Sequence, residues 1–259
     1  MNQPLPKTAV ALPLTDRQPG VDRVLDIFEE LLRTRRPVKI GDLARRLGAP
    51  RSTLYNLVNR LVAAELLELV DGGGSVYFGR AMHLYGTAYA EANPLQRRAR
   101  SALDELAAKA DATAQLCALK HDKYVVLDSR SGRGLFRITT DIGVPVPLPW
   151  TASGRLLLDH LSPDEILTLV PPEDYGLPDG RVVDPHQFLE DVARARTNGY
   201  CITAGLSDHF ACCLAAPIRD VKRRAVATLC FVTSVETSDT RRRDLMNDLL
   251  TAAAELSVD

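Results

Sequence analysis

The sequence has no apolar run approaching the ~20 residues that a membrane-spanning helix needs. Its N-terminus also lacks the charged region followed by an apolar segment that marks a secretion signal. We therefore expect a cytoplasmic protein with no membrane partner. A chain of 259 residues is long for one domain and suits two, each able to bury its own core.

The cysteines lack the spacing of a disulfide framework or of a zinc site. There are five of them, an odd number, and none belongs to a CxxC pair. The five histidines likewise lack the i, i+4 spacing of a metal site on a helix. We therefore expect no metal and no cofactor.

The adjacent Cys212 and Cys213 raise a second interpretation, a redox or metal sensor. Neighbouring residues on a strand point to opposite faces, so these two thiols are poorly placed to share a ligand. Buried thiols that pack as small hydrophobic groups are the favoured interpretation. Redox sensing through Cys212, Cys213 and Cys230 stays open as the alternative.

Neither sign of charge is in excess overall, with 32 basic and 33 acidic residues. One segment departs from this balance, because eight basic residues between Arg33 and Arg60 face the single acid Asp42. The basic residues are Arg33, Arg35, Arg36, Lys39, Arg45, Arg46, Arg51 and Arg60. Such a local excess favours contact with nucleic-acid phosphates, since counterion release supplies much of the affinity for DNA.

Residues 38–67 of this basic segment predict two short amphipathic helices joined by a tight turn. The buried stripe of the first helix is Ile40, Leu43, Ala44 and Leu47, and that of the second is Leu54, Leu57, Val58 and Leu61. Gly48 stands where a helix end favours a residue that tolerates positive φ, and Pro50 suits the first turn of the next helix. This arrangement is typical of a helix-turn-helix.

The second helix presents a polar face that suits DNA. Its members are Arg51, Ser52, Thr53, Tyr55, Asn56, Asn59 and Arg60. Ser52 and Thr53 suit phosphate oxygens at the helix start, while Tyr55 or Asn59 could reach bases. Any short helical hairpin has a polar face towards water, but the clustered positive charge favours promoter double-stranded DNA as the partner.

A helix before this hairpin and two strands after it complete a winged version of the motif. The preceding helix has an apolar stripe of Val21, Val24, Leu25, Phe28, Leu31 and Leu32. Residues 66–70 and 75–79 predict two strands around the glycine turn at 71–74. The hairpin that these strands form is predicted to be a wing beside the recognition helix.

Several segments together carry a family resemblance over residues 20 to 257. They are VDRVLDIFEEL, IGDLARRLGAPRSTLYNLVNRL, VYFGRAMHLYG, LPWTASGRLLLDHL, NGYCITAG and CCLAAPI. In order and spacing the chain resembles an IclR-type transcriptional regulator. The resemblance implies an N-terminal winged helix-turn-helix, a linker helix used in dimerisation, and a C-terminal GAF-like domain that binds a small effector. A basic residue frequent in the family's recognition helix is Asn56 here, which can pair with adenine instead.

The expected organisation is therefore an α+β chain in four parts. They are a disordered arm (1–19), a winged helix-turn-helix (20–80), a linker helix (81–93) and a GAF-like α/β effector-binding domain (94–259). In the linker helix, small and large apolar residues share one face, which suits packing against a second copy. We expect a homodimer or a dimer of dimers.

The resemblance also implies an effector pocket against the C-terminal sheet. Ala152 and Ser153 would offer backbone N–H groups at a helix start, and Thr203, Cys213, Cys230 and Val232 would line the remainder. Thr203 replaces an acid of the family pattern, and Cys230 and Val232 replace serines. The loss of hydroxyls suggests a larger or more hydrophobic effector, such as an aromatic acid.

Three large side chains near this pocket have open roles. Trp150 could stack on an aromatic effector or cap the pocket, and it could equally be a core residue. Arg137 or Arg155 could pair with an effector carboxylate, or both could be surface charges.

The expected function is that of a ligand-responsive regulator, a repressor of a catabolic operon that senses a small organic acid. We expect no catalysis, because Ser153 lacks a GxSxG context and no His/Asp partners are evident. An enzyme-like C-terminal domain is the less favoured alternative.

Overall fold

The computed structural model describes residues 19–132 and 141–258 of the chain. Their contacts separate two compact units, divided between Ala92 and Asn93. Residues 1–18 of the proposed arm, the last residue and Arg137 lie outside the described residues, and Pro19, which the prediction included in the arm, begins the first helix. None of the described helices is both long and apolar enough to cross a membrane.

In the N-terminal unit, residues 19–92 form four α-helices and a three-stranded antiparallel sheet. The helices are α1 (Pro19–Thr34), α2 (Ile40–Arg46), α3 (Arg51–Ala63) and α4 (Arg80–Ala92), and the strands are β1 (Val38–Lys39), β2 (Leu67–Val70) and β3 (Ser75–Phe78). The strand order is β1-β3-β2. The hairpin of β2 and β3 confirms the predicted wing, whereas the two-residue β1 was not predicted.

The predicted apolar stripes of α2 and α3 are confirmed, since Leu43, Leu54 and Val58 are fully buried. The predicted stripe of α1 is partly wrong. Val21 and Leu25 are 55% and 52% exposed, while Ile27, which the prediction omitted, is fully buried. Only the apolar residues on the side of α1 that faces the core are buried. The predicted set covered a wider part of the helix circumference than that side does.

Two tight bends depend on glycine as predicted. Gly48 follows α2 with φ +58°, and Gly72 in the wing turn has φ +73°. Both values lie in the left-handed region, where a side chain is disfavoured. The wing turn itself is exposed from Asp71 to Gly74.

The described residues of the C-terminal unit form a six-stranded antiparallel sheet with helices on both faces. The helices are α5 (Pro94–Ala110), α6 (Ala152–Leu157), α7 (Pro163–Leu169), α8 (Pro185–Asn198) and α9 (Asp239–Leu256). The strands are β4 (Thr113–Lys120), β5 (Lys123–Arg130), β6 (Val146–Pro147), β7 (Cys201–Ala204), β8 (Ala211–Arg219) and β9 (Ala225–Ser234). Their order is β6-β5-β4-β9-β8-β7.

Each face of this sheet has its own hydrophobic core. One core includes Leu103 of α5 and Leu249 of α9, and the other includes Leu156 of α6 and Phe188 of α8. Alternate residues of the strands therefore enter different cores. This architecture confirms the predicted α+β fold, in which the C-terminal domain combines a sheet with helices.

The helix starts in this unit follow local chemistry that the sequence makes visible. Ser162 and Glu165 form a reciprocal capping box at the start of α7. The side chain of Asp184 accepts a 2.9 Å hydrogen bond from the backbone N–H of Gln187 at the start of α8. Helix α9 begins at Asp239, directly after Ser238, whose side chain accepts a hydrogen bond from the backbone N–H of Arg241.

Candidate functional site

The exposed face of α3 carries the residues predicted to contact DNA. Six of the seven are exposed and Thr53 is half-buried. The exposed residues are Arg51, Ser52, Tyr55, Asn56, Asn59 and Arg60. Leu54, Val58 and Leu61 anchor the opposite face of the helix, so the polar side chains are held on a rigid element. Contact with DNA stays a prediction for all seven.

The positive charge around α3 is smaller than the sequence count suggested. Glu30, which precedes the counted segment, forms 2.7 Å ion pairs with both Arg33 and Arg46. Hydrogen bonds from Arg33 lower the pKa of Glu30 to about 2, so this carboxylate stays charged. Arg45 pairs with Asp42 at 2.8 Å. The excess therefore rests on fewer cations than the linear count implied.

Two arginines on α3 keep their charge available. Arg51 and Arg60 form no ion pair with any other residue that the structure describes. Both stand on the exposed face at opposite ends of the helix. They are the cations best placed to contact phosphate or a base edge.

In the C-terminal unit, strand register brings the predicted pocket residues onto one face of the sheet. Thr203 pairs with Cys213, and Cys213 pairs with Val232 on the next strand. Cys230 lies two residues from Val232 on the same face. Helix α6 packs on this face and brings the buried Ser153 with it. We call this region of β4, β7, β8 and β9 beneath α6 the sheet-face site.

Three polar residues of the sheet-face site were not predicted from the sequence. Thr113 pairs with Val232, Gln115 with Cys230, and Cys117 with Thr228, which places Thr113, Gln115 and Thr228 among the residues already named. All three are at most 1% exposed. The alternation in TAQLCALK puts residues 113, 115 and 117 on one face, but it does not show that this face meets β9.

Four buried polar atoms of this site have no hydrogen-bond partner among the described residues. They are Thr113 Oγ1, Gln115 Nε2, Ser153 Oγ and Thr228 Oγ1. The Ser153 and Thr228 hydroxyls lie beside the Cys117 thiol, which is a weak hydrogen-bonding group. Buried polar atoms are nearly always satisfied, so a concentration of exceptions indicates a place where a ligand or water binds.

The thiols in the site are held in different protonation environments. Burial raises the pKa of Cys117 to about 12, and its sulfur lies 3.0 Å from the hydroxyl oxygen of Tyr124. The neighbouring Cys213 thiol, together with burial, raises the pKa of Cys230. The same contact lowers the pKa of Cys213. Cys117 and Cys230 therefore line the site as neutral, weakly polar groups at neutral pH.

Cys212 belongs to the other face of the sheet. It packs in the core beneath α5 and α9, whereas Cys213 contacts the core beneath α6. The predicted opposition of the two thiols is confirmed. The redox alternative therefore loses Cys212 and reduces to Cys213 and Cys230.

Trp150 and Arg155 are tied to the protein itself. The indole N–H of Trp150 donates a 2.9 Å hydrogen bond to the carbonyl oxygen of Asp174, and the ring is half-buried. Arg155 is 3% exposed and donates to the carboxylate of Asp191 at 3.0 and 3.1 Å. It also lies over the ring of Phe188. Arg155 is thus neither a surface charge nor an open partner for a ligand carboxylate.

Arg155 also braces the segment that leads into α6. It donates to the carbonyl oxygens of Pro149 and Thr151 at 3.1 and 2.9 Å. The Thr151 hydroxyl in turn accepts a 2.8 Å hydrogen bond from the backbone N–H of Gly154. This start of α6 therefore satisfies part of its own hydrogen bonding, and it offers fewer free donors than the sequence suggested.

Within residues 19–132 and 141–258, no cluster of three or more His, Cys, Asp or Glu side chains is arranged to hold a metal ion.

Comparison with known proteins places this architecture among transcriptional regulators. Residues 20–71 match the family described as "IclR helix-turn-helix domain". Residues 87–258 match the one described as "Bacterial transcriptional regulator IclR C-terminal". The two matches together span both compact units.

Full-length relatives and solved structures agree with these matches. The HTH-type transcriptional regulator BhcR of Paracoccus denitrificans is 26% identical over 242 residues, which cover 92% of this chain and 86% of the relative. The transcriptional repressor IclR of Escherichia coli is 23% identical over 227 residues, 86% and 83% of the two chains.

Two crystal structures share the fold. An IclR regulator from Alicyclobacillus acidocaldarius superposes with a TM-score of 0.83 at 19% identity, covering 93% of this chain and 98% of the other. An IclR homolog from Microbacterium hydrocarbonoxydans, complexed with 4-hydroxybenzoate, gives a TM-score of 0.80 at 23% identity, covering 92% and 97%.

A winged helix-turn-helix joined to an α/β effector-binding domain defines a DNA-binding transcriptional regulator. The chain belongs to the IclR family. This family consists of transcriptional regulators and not of enzymes, which also settles the enzyme-like alternative.

Proposed function

We propose that this regulator represses a catabolic operon and is released or retained at its promoter by a small organic acid bound in the sheet-face site. The observation that carries the proposal is the set of four buried polar atoms without a partner beneath α6. A folded domain bears the cost of such atoms most readily where a ligand satisfies them. Repression is proposed because a relative is named a transcriptional repressor.

The lining of the site favours a monoanionic aromatic acid. The amide of Gln115 and the hydroxyls of Ser153 and Thr228 can donate to a carboxylate or phenol oxygen. Val232 and the thiols of Cys117 and Cys230 supply an apolar wall for a ring. The structural neighbour complexed with 4-hydroxybenzoate supports this class of ligand.

A homodimer, alone or paired into a tetramer, is part of the proposal. Leu84, Tyr85 and Tyr89 on α4 are 58–64% exposed within the single chain. Large exposed apolar side chains on one helix are typical of a surface that a second copy covers. The two winged helix-turn-helix units of the dimer then bind a palindromic promoter site. The protein acts in the cytoplasm, where that DNA lies.

DNA binding through α3 is tested by substituting Arg60. The full chain is used to select duplexes from a random pool, and binding of a selected duplex is followed by fluorescence anisotropy. We expect Arg60→Ala and Asn56→Ala each to weaken binding by about tenfold, the effect of one lost base or phosphate contact.

The charge-matched control is Arg243→Ala, which removes an exposed cation of α9 in the other unit. It should leave the affinity within about twofold at constant ionic strength. Equal losses of affinity in Arg60→Ala and Arg243→Ala would mean that net charge alone explains the effect. Failure to select any preferred DNA sequence would refute the proposed interface.

Ligand binding is tested by a pair of isosteric substitutions on β9. Thr228 has a buried hydroxyl without a partner, so Thr228→Val should leave the free energy of unfolding unchanged or raise it by up to about 1 kcal/mol. The same change should weaken binding of 4-hydroxybenzoate by about tenfold, the effect of one hydrogen bond to a charged group. Calorimetric titration of the full chain measures the affinity.

Thr233 is the matched control, because its hydroxyl is also buried but donates to the carbonyl oxygen of Cys212 at 3.3 Å. Thr233→Val should lower the free energy of unfolding by about 1 kcal/mol and leave ligand affinity unchanged. If the wild type binds neither 4-hydroxybenzoate nor benzoate, the aromatic-acid proposal is wrong. If Thr228→Val binds as tightly as the wild type, the ligand lies elsewhere.

A further inference from the structure

A second cleft lies at the far end of the C-terminal sheet from the sheet-face site. It has a volume of about 540 Å³ and is lined by the segment after α6, the end of α8, and the β8–β9 turn. Arg219 ends β8, six residues beyond Cys213, and Asp159 follows α6, six residues beyond Ser153. The cleft is therefore separate from the site already described.

A buried ion pair forms part of the lining of the cleft. Arg219 donates to both carboxylate oxygens of Asp159, at 3.3 and 2.5 Å. The Asp159 side chain is 2% exposed and that of Arg219 is 16% exposed. Burying such a pair contributes little net stability compared with apolar residues of the same size. Its presence suits a site that needs an oriented guanidinium.

Two further guanidinium groups line the same cleft. Arg196 donates to the backbone carbonyl oxygens of Asp159 and Leu161. These bonds occupy two carbonyl oxygens of the segment after α6, which would otherwise repel an anion. Arg223 forms no ion pair with another described residue and is exposed.

The turn that carries Arg223 is pre-organised. The Asp220 carboxylate accepts 2.9 Å hydrogen bonds from the backbone N–H groups of Lys222 and Arg224. Arg223 has φ +62°, and Arg219 donates to its carbonyl oxygen at 2.8 Å. A non-glycine residue in this region is a source of strain that recurs at functional sites.

The charges lining the cleft are three arginines against one carboxylate. Burial lowers the pKa of His160, so this side chain is a neutral hydrogen-bonding group at neutral pH. Asn198 adds an amide to the lining. Several guanidinium groups around one space match the three oxygens and double charge of a phosphate better than a single carboxylate.

We propose that this cleft binds a small phosphate-bearing anion, as a second ligand site of the protein. Its volume leaves room for an organic group beside the phosphate, since ligand pockets commonly span about 300–1,000 Å³. The anion contacts Arg223 at the rim and Arg219 deeper in the cleft.

The test is calorimetric titration of the full chain with pyrophosphate, glycerol 3-phosphate and citrate at constant ionic strength. We expect both phosphate compounds to bind and citrate to bind at least about tenfold more weakly. Arg223→Gln should weaken phosphate binding by about tenfold, because it removes one charge-assisted contact from an exposed side chain.

Lys222→Gln is the matched control, since Lys222 is an exposed cation of the same turn that does not line the cleft. It should change the affinity by less than about twofold. Equal losses in the two variants would overturn the site in favour of diffuse charge attraction. Absence of phosphate binding, or stronger binding of citrate, would overturn the proposal as well. Weakened DNA binding in Arg223→Gln alone would reassign the cleft to DNA.

Discussion

Replacing Arg155 with methionine is expected to lower the free energy of unfolding of the C-terminal unit by about 3 kcal/mol, the lower end of the range for a broken buried ion pair. The substitution leaves the carboxylate of Asp191 without its buried partner and the carbonyl oxygens of Pro149 and Thr151 without a donor. Asp191 is 22% exposed and also contacts Arg194, which keeps the loss from being larger.

The chain's single tryptophan, Trp150, reports on this unit directly. Its fluorescence during denaturation by urea follows the C-terminal unit even if the two units unfold separately. Arg194→Met is the control, because Arg194 pairs with the same Asp191 from the surface and is 64% exposed. That variant should lose less than about 1 kcal/mol. Equal losses would mean that burial of Arg155 contributes nothing specific.

Arg155 also illustrates what the sequence could not reveal. From the sequence it was equally a ligand partner or a surface charge. Its role is set by Asp191 and Phe188, which lie more than 30 positions away on α8. No local pattern encodes such a pairing, because it depends on how two helices pack.

The predictions that held rest on local signals. The glycine at position 48 and the apolar stripes of α2 and α3 are each contained within one turn or one helix. The positive charge near α3 was overcounted because the contact that reduces it is not local. Glu30 reaches Arg46 across 16 positions, which a count along the chain does not detect.

The sheet-face site falls between these two cases. The family resemblance supplied Ser153, Thr203, Cys213 and Cys230, and the register of β7, β8 and β9 brings the three strand residues to one face. Gln115 was not predicted because the sequence does not show that its strand lies beside β9. Only the pairing of Gln115 with Cys230 puts that amide in the site.

The start of α6 leads to the second large effect, because Gly154 has no room for a side chain. A Cβ at this position would lie inside the contact distance of the Leu148 carbonyl oxygen and 2.9 Å from the carbonyl carbon. Both atoms belong to the backbone and cannot rotate away. Gly154→Ala is therefore expected to destabilise the C-terminal unit by about 3 kcal/mol, the upper end for overpacking.

A methyl group at position 154 should push the start of α6 away from Leu148. This shift should weaken ligand binding, because Ser153 directly precedes Gly154 and the backbone N–H of Gly154 donates to the Thr151 hydroxyl. Gly176→Ala is the control in the same unit. Its Cβ would meet the Glu173 carbonyl oxygen at 3.4 Å, and its φ of −73° suits alanine. Urea denaturation followed by Trp150 should separate the two variants by at least about 2 kcal/mol.

Comparison with Thr228→Val then separates the effect of moving the wall of the sheet-face site from the effect of losing one hydrogen-bonding atom. Gly154→Ala should lose stability and affinity for 4-hydroxybenzoate together, since it moves the wall formed by α6. Thr228→Val should lose affinity alone, since it removes a hydrogen-bonding atom and moves nothing. A Gly154→Ala variant as stable as Gly176→Ala would mean that α6 can shift away from Leu148 at little cost, and the wall would then be adaptable to ligands of different size.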